Sequence, residues 1–156
     1  MFRLTTIALV TLVFGGSAAL SGERVNAEAK KLQGEWQAVE IQAKGKTSTK
    51  DDSEVKNLRF VIKGDGITIP HPSEEGKERK QTFKVNSAKS PKEIDITSLD
   101  GQEKDKTSAC IYKLDKDRLT ICIPYFTENP SVRPTEFKAR ANDGIMLITL
   151  ERVKSK

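Results

Sequence analysis

Apolar and polar side chains alternate along most of the chain after residue 32. A period of two is typical of β-strands that bury one face and expose the other. No stretch of any length after residue 32 has the spacing of an amphipathic helix. The sequence therefore predicts an all-β protein. The predicted strands cover 36–41, 58–63, 83–86, 94–97, 110–114, 119–123 and 145–150, with a weaker one at 136–140.

The connections between these segments alternate between long and short. In an antiparallel up-and-down meander, successive connections lie at opposite ends of the sheet. The long connections therefore gather at one end, here called the mouth, and the shorter ones at the other, the floor. The long ones are 43–56, 70–80, 99–106 and 124–134, and the shorter ones are 64–66, 87–92, 115–117 and 142–144. We expect a meander of eight or nine strands closed into a barrel; a β-sandwich is the alternative.

The N-terminal segment has the layout of a secretory signal peptide. Arg3 supplies a positive charge, Ile7–Phe14 is a short apolar run, and small residues follow it up to Gly22. The run is shorter than the about 20 residues that a membrane-spanning helix needs, and no Cys follows it to accept a bacterial lipid anchor. We expect export from a bacterial cytoplasm to the periplasm or beyond, without a stable membrane anchor. A buried N-terminal helix or an uncleaved anchor is the alternative.

Removal of this signal would leave one domain. The small residues place candidate cleavage points after Ala19, Ser21 or Ala27. A chain of the remaining length can bury a core without disulfides or metals. The expected organisation is a signal peptide over 1–21, a polar lead-in over 22–31 and a single barrel domain over 32–154.

The charges of the chain are interleaved, although the formal net charge is +5. Lys46 and Lys50 are followed at once by Asp51 and Asp52, and acidic and basic residues alternate over 74–80. A surface that tracks phosphates needs an uninterrupted basic stripe. We therefore expect no nucleic-acid partner.

Two cysteines, Cys110 and Cys122, lie on adjacent predicted strands. If Leu114 faces Leu119, one apolar face forms that includes Cys110, while Cys122 points to the other face. A slip of one residue would bring the cysteines opposite each other, but it would split the apolar face. Export would permit a disulfide, yet the pattern favours two free thiols.

The first strand begins with a Gly-x-Trp sequence, Gly34 to Trp36. This start resembles that of lipocalins, in which the Trp closes the barrel floor and an Arg near the end of the last strand packs over it. Arg152 stands in the matching place. The resemblance implies a lipocalin-like barrel with structural roles for Gly34, Trp36 and Arg152.

The chain also resembles a family of small secreted domains abundant in planctomycete bacteria. The matching motifs run in order over about residues 31–152, and Cys110 departs from the pattern, where a Gly is usual. They are Leu32–Trp36, Ile94–Thr97, Ile111–Cys122 and Arg133–Phe137. This resemblance implies a similar fold and an exported location, but it implies no activity.

The chain offers few groups for catalysis or metal binding. His71 is the only histidine and lies between two prolines, so no Ser-His-Asp or Cys-His site is indicated. One histidine and two cysteines on opposite faces cannot supply a zinc site. Paired acids such as Asp51 and Asp52 lie in charged loops, where solvated pairs are expected. We expect no metal, no cofactor and no enzyme activity.

One aromatic loop lies beside the expected mouth. Tyr125 and Phe126 either pack on the core or contact a ligand or partner. Arg133 and Glu136 form either an ion pair that fixes this loop or polar anchors in a cavity. The predicted ligand-binding residues are Tyr125, Phe126, Arg133 and Tyr112. The aromatic residues expected to fill the interior are Trp36, Phe60, Phe83, Tyr112 and Phe137.

The leading functional expectation is a non-catalytic binding protein for a small apolar or amphipathic molecule or a cell-envelope component. The alternative is a protein–protein interaction or inhibitor module with a filled core and the 124–134 loop as its contact surface. An uncharacterised hydrolase is the third possibility, because the sequence offers no pair of a nucleophile and a base. A barrel of this size is either filled or leaves room for one small ligand, and a cavity of a few hundred Å3 would favour the ligand.

Overall fold

The computed structural model describes residues 27–71, 74–124 and 130–154. The expected signal peptide over 1–21 lies outside these residues. The helical segment 27–32 is here called α1. The other elements, in chain order, are β1 (Gly34–Ala43), β2 (Lys46–Thr49), α2 (Ser53–Lys56), β3 (Arg59–Lys63), β4 (Gly66–Pro70), β5 (Glu78–Asn86), β6 (Lys92–Ser98), β7 (Thr107–Asp115), β8 (Arg118–Pro124) and β9 (Ile145–Arg152).

Eight of the nine strands in the described part of the chain close into an antiparallel barrel. Strands β3 to β9 pair in sequence order, and β9 pairs back onto β1 from Trp36 opposite Arg152 to Ala43 opposite Met146. The other edge of β1 is shared, because its first half pairs with β3 and its second half with β2. The ninth strand, β2, is thus an addition to the barrel. The predicted all-β, lipocalin-like meander is confirmed.

The strand register places the long connections at one end. The start of β1 lies beside the end of β3, so the tight turn at residues 64–65 is at the floor. The antiparallel order then puts the β5–β6 and β7–β8 connections at the floor as well. The long connections that follow β1, β4, β6 and β8 all leave from the mouth. The expectation from loop lengths is confirmed for these connections, but it is wrong for 142–144, which lies at the mouth in the β8–β9 connection instead of at the floor.

The predicted strand at 136–140 is wrong, and its absence sets the direction of β9. Residues 136–140 form no strand. Phe137 and Ala139 instead pack on the outer face of the barrel, against Ile111 and Cys122. The expectation that Phe137 fills the interior is therefore also wrong. With one strand fewer, β9 runs towards the floor and brings Arg152 to Trp36.

The predicted loop 43–56 contains two short elements. Strand β2 buries none of its residues, so it has no apolar alternation to reveal it. Helix α2 is a single turn that buries Val55 in the core. These elements frame one side of the mouth.

A β-bulge in β1 changes which residues face the interior. The register against β9 shifts between Ala38 and Glu40. Trp36 and Ala38 are buried below the bulge, whereas Ile41 packs against the core above it. The alternation of inward and outward side chains that begins at Trp36 therefore holds only as far as Ala38. Beyond it, the extra residue of the bulge reverses which positions face the interior.

The hairpin of β7 and β8 has the predicted register. Leu114 faces Leu119, and Tyr112 faces Ile121. Cys110 belongs to the barrel core, and Cys122 belongs to a smaller cluster on the outer face. Both cysteines are free and buried, which confirms the prediction from strand parity.

Helix α1 closes the floor. Leu32 and Trp36 are fully buried, and the indole Nε1 of Trp36 donates to the Leu32 carbonyl at 2.8 Å. The Arg152 guanidinium lies 4.1 Å from the centre of the Trp36 ring. It also donates to the carbonyls of Lys31 (2.8 Å) and Gln33 (2.5 Å). The roles expected of Trp36 and Arg152 are confirmed.

A buried charge network ties α1 to the barrel. Glu28 is 5% exposed, and its carboxylate accepts hydrogen bonds from Lys92 (2.5 Å) and Lys31 (3.1 Å). Burial alone would raise the pKa of Glu28, but these hydrogen bonds and the attraction of the two ammonium groups outweigh it and lower the pKa. The end of the expected lead-in over 22–31 is thus part of the barrel domain.

Candidate functional site at the mouth

The structure places only part of the predicted ligand-binding set at the mouth. Tyr125 and Phe126 lie outside the described residues, and their roles stay predictions. Tyr112 is 1% exposed, and its hydroxyl donates to Glu28 at 3.4 Å near the floor. Burial and the neighbouring Glu28 carboxylate raise the pKa of Tyr112, so its phenol remains a protonated donor. Tyr112 belongs to the core and its floor network.

Arg133 is a structural anchor on the outer face. Its guanidinium donates to the Asp95 carboxylate (2.6 Å) and to the Cys110 carbonyl (2.5 Å), and it lies 3.5 Å from the Glu93 carboxylate. These contacts fix the β8–β9 connection against β6 and β7. The expected Arg133–Glu136 pair does not form, since Glu136 pairs with neighbouring cations of its own segment. Hydrogen bonds from Lys138 and Arg140 lower the pKa of Glu136.

An apolar sector lines one side of the mouth interior. It consists of half-buried side chains that pack on the top of the core and leave part of their surface open. Their strands are neighbours around the barrel, from β8 through β9 and β1 to β3 and β4. The apolar sector comprises Ile41, Leu58, Ile69, Ile123 and Met146.

A polar sector lines the opposite side of the mouth. Arg79 faces Ile69 across the β4–β5 pair, and Gln81 faces the buried Ile67, so both point to the interior face. Ser98 lies opposite Gln81 on β6, and Ser108 lies opposite the buried Ile96 on β7. Directly opposite residues of antiparallel strands project to the same face of a sheet. The polar sector comprises Arg79, Gln81, Ser98 and Ser108.

Arg79 differs from the other arginines of the described residues. Each of the other five contacts at least one carboxylate: Arg59, Arg118, Arg133, Arg140 and Arg152. Among the described residues, the Arg79 guanidinium has no ion-pair or hydrogen-bond partner. The adjacent Asp100 carboxylate accepts instead from the backbone N–H of Lys80 at 2.8 Å. Arg79 is thus a half-buried cation whose guanidinium donates to none of the described residues.

A cleft of about 770 Å3 opens beside the apolar sector. It lies between α2 and the β4–β5 connection, and Leu58 lines it while also packing on the core. Three carboxylates, those of Glu54, Glu74 and Glu75, lie around it together with Lys77 and His71. The His71 Nε2 atom is 3.6 Å from a Glu74 carboxylate oxygen. Of the apolar sector, only Leu58 lines this cleft.

The described residues give little support for catalytic or metal chemistry. Within them, no three His, Cys, Asp or Glu side chains are grouped so as to hold a metal ion. Burial raises the pKa of the Cys110 thiol, and it raises that of Cys122 to about 11, so neither is an activated nucleophile.

No helix in the described part of the chain is long and apolar enough to cross a membrane.

Comparisons with protein-family models, curated proteins and solved structures find no match for the chain. The function of the candidate site is therefore inferred from the geometry of its residues. The polar sector was missed at the sequence level because residues 70–80 were expected to form a loop. The signal that could have found it is the alternation within β5, where Arg79 and Gln81 share a face with Phe83 and Val85.

Proposed function

We propose that the protein is a secreted, non-catalytic binding protein for a small amphipathic molecule held at the mouth of the barrel. The observation that carries this proposal is the half-buried apolar sector facing a polar sector across the mouth. Interior residues nearer the floor, including Trp36, Phe60 and Phe83, are buried in one continuous core. The molecule therefore rests on top of this core, with its apolar part against the apolar sector.

The energetics favour a ligand with both apolar and polar parts. Covering apolar surface contributes about 25 cal/mol for each Å2 removed from water, and the apolar sector leaves part of five large side chains open for this. A purely apolar molecule would remove water from the polar sector without replacing its hydrogen bonds, which is costly. The 770 Å3 cleft beside Leu58 adds open volume next to the apolar sector.

Isothermal titration calorimetry with dodecyl amphiphiles, below the concentrations at which they form micelles, tests the proposal. Ile69→Gln places a polar group in the apolar sector and is expected to weaken binding about tenfold. Val61→Gln is the matched control, since Val61 is 38% exposed on β3 and faces outward. Equal affinities of the two variants, or no saturable binding by the unaltered protein, would refute the proposal.

A protein–protein interaction module is the second candidate. Val132 favours it, because this side chain is 62% exposed on a segment that Arg133 fixes to the barrel. A partner that covered this side chain would remove its apolar surface from water. Val132→Asp would abolish co-purification of a defined partner from the cell envelope if this candidate is correct. It would leave binding of dodecyl amphiphiles unchanged.

A further inference from the structure

We infer that the amphipathic molecule carries an anionic head group, and that Arg79 is the residue that binds it. This inference rests on the proposed function, because it names the chemical class of ligand for the same site. Arg79 is the one described arginine whose guanidinium no carboxylate contacts. A guanidinium prefers carboxylate and other oxyanions, which it binds through two parallel hydrogen bonds.

The position of Arg79 suits a head group at the rim. Its Cα lies opposite that of Ile69, so the cation and the apolar sector share the interior face of the β4–β5 pair. Its Nη2 atom lies 3.6 Å from the place that a side-chain carbon on Gly101 would take. The guanidinium therefore lies beside the start of the β6–β7 connection, which continues next to β5 beyond Ser98. An apolar chain bound at Arg79 would meet the apolar sector first at Ile69 on the paired strand.

Arg79 carries the only charge of the polar sector, and that charge is positive. The Asp100 carboxylate is bound to the backbone of β5, and the Lys80 side chain points to the outer face, where it is exposed. Apart from the adjacent Asp100 carboxylate, the side chains beside Arg79 in the polar sector are neutral: Gln81 on β5 and Ser98 on β6. Their side chains add donors that an oxyanion accepts. The acidic groups Glu54, Glu74 and Glu75 line the cleft, which opens between α2 and the β4–β5 connection.

Calorimetry with three dodecyl compounds tests the inference: dodecanoate, the neutral dodecyl maltoside and dodecyltrimethylammonium. We expect the unaltered protein to bind dodecanoate most tightly. Arg79→Gln should weaken dodecanoate binding about tenfold, the loss typical of a charge-assisted hydrogen bond, and leave binding of the maltoside unchanged. Arg79→Lys should recover only part of the loss, because it restores the charge without the paired donors.

Lys80→Gln is the matched control. It removes the same charge from the next residue of β5, but on the exposed outer face. Equal losses with Arg79→Gln and Lys80→Gln, or equal affinities for dodecanoate and the maltoside, would overturn the inference and leave the proposed function standing. Failure of all three compounds to bind would overturn both. Arg79→Gln breaks no hydrogen bond among the described residues, so its melting temperature should match that of the unaltered protein.

Discussion

Replacement of Arg152 by Met should remove much of what holds the floor closed. Arg152 contacts the Trp36 ring and donates to the carbonyls of Lys31 and Gln33 and to the Asp117 carboxylate. Met keeps an unbranched apolar stem over the indole but has no donors. The substitution therefore tests the polar contacts of Arg152 while retaining much of its packing.

The expected loss is about 4 kcal/mol of unfolding free energy. A cation over an aromatic ring contributes roughly 0.5–2 kcal/mol. Hydrogen bonds from a charged donor contribute about 1.5–3 kcal/mol each, but water can reach the floor carbonyls of the variant, so their low end applies. The Asp117 pair adds little, because that carboxylate is 53% exposed.

Urea unfolding followed by fluorescence measures this loss directly, since Trp36 is the only tryptophan of the chain. Arg152→Met should also shift the native emission to longer wavelength as water reaches the indole. Arg118→Met is the matched control: Arg118 is at the same end, 58% exposed, and 3.6 Å from Glu151, so its loss should be at most about 0.5 kcal/mol. Equal losses in the two variants would refute this account of the floor.

The remaining predictions concern α1, the thiols and the N-terminus. Glu28→Gln should lower the unfolding free energy by roughly 2 kcal/mol at neutral pH, as measured by urea unfolding. Because the folded-state pKa of Glu28 is lowered, the difference from the unaltered protein should shrink as the pH falls through that pKa. A difference that does not change with pH would contradict the charge network. Maleimide labelling should find two free thiols in denatured, unreduced protein but slow reaction at both in the native protein; a mass consistent with a bridge would contradict this. Exported protein should lack about 19–27 N-terminal residues by mass, whereas recovery of an intact Met1 chain would refute the signal.

The barrel could be predicted because the residues of its inner face alternate with outward-facing polar residues along the sequence. The register of the β7–β8 hairpin followed from keeping Tyr112 and Leu114 on one apolar face. The strand at 136–140 was expected because Phe137 and Ala139 also alternate. They cover a second apolar cluster on the outer face, and alternation alone does not distinguish the inside of a barrel from a patch on its outside.

The candidate site was less accessible to sequence reasoning. The sequence analysis expects Arg133 at the mouth as a ligand contact, but its guanidinium donates to acceptors on β6 and β7, which are distant in sequence. Arg79 was assigned to a loop because Glu78 and Lys80 flank it with exposed charges. Its proposed role depends on the lack of a carboxylate contact among the described residues, which is apparent only once the strands are assembled.

The central claim is that an amphipathic molecule binds inside the mouth, and methyl NMR during titration with dodecanoate tests it most directly. We predict saturable shifts confined to the mouth, with the floor methyls of Ile62 and Leu119 unchanged. The methyls expected to shift are those of Ile41, Ile69, Ile123 and Met146. Shifts that do not saturate, or that fall on the outward-facing Val61 and Val132 instead, would contradict the claim.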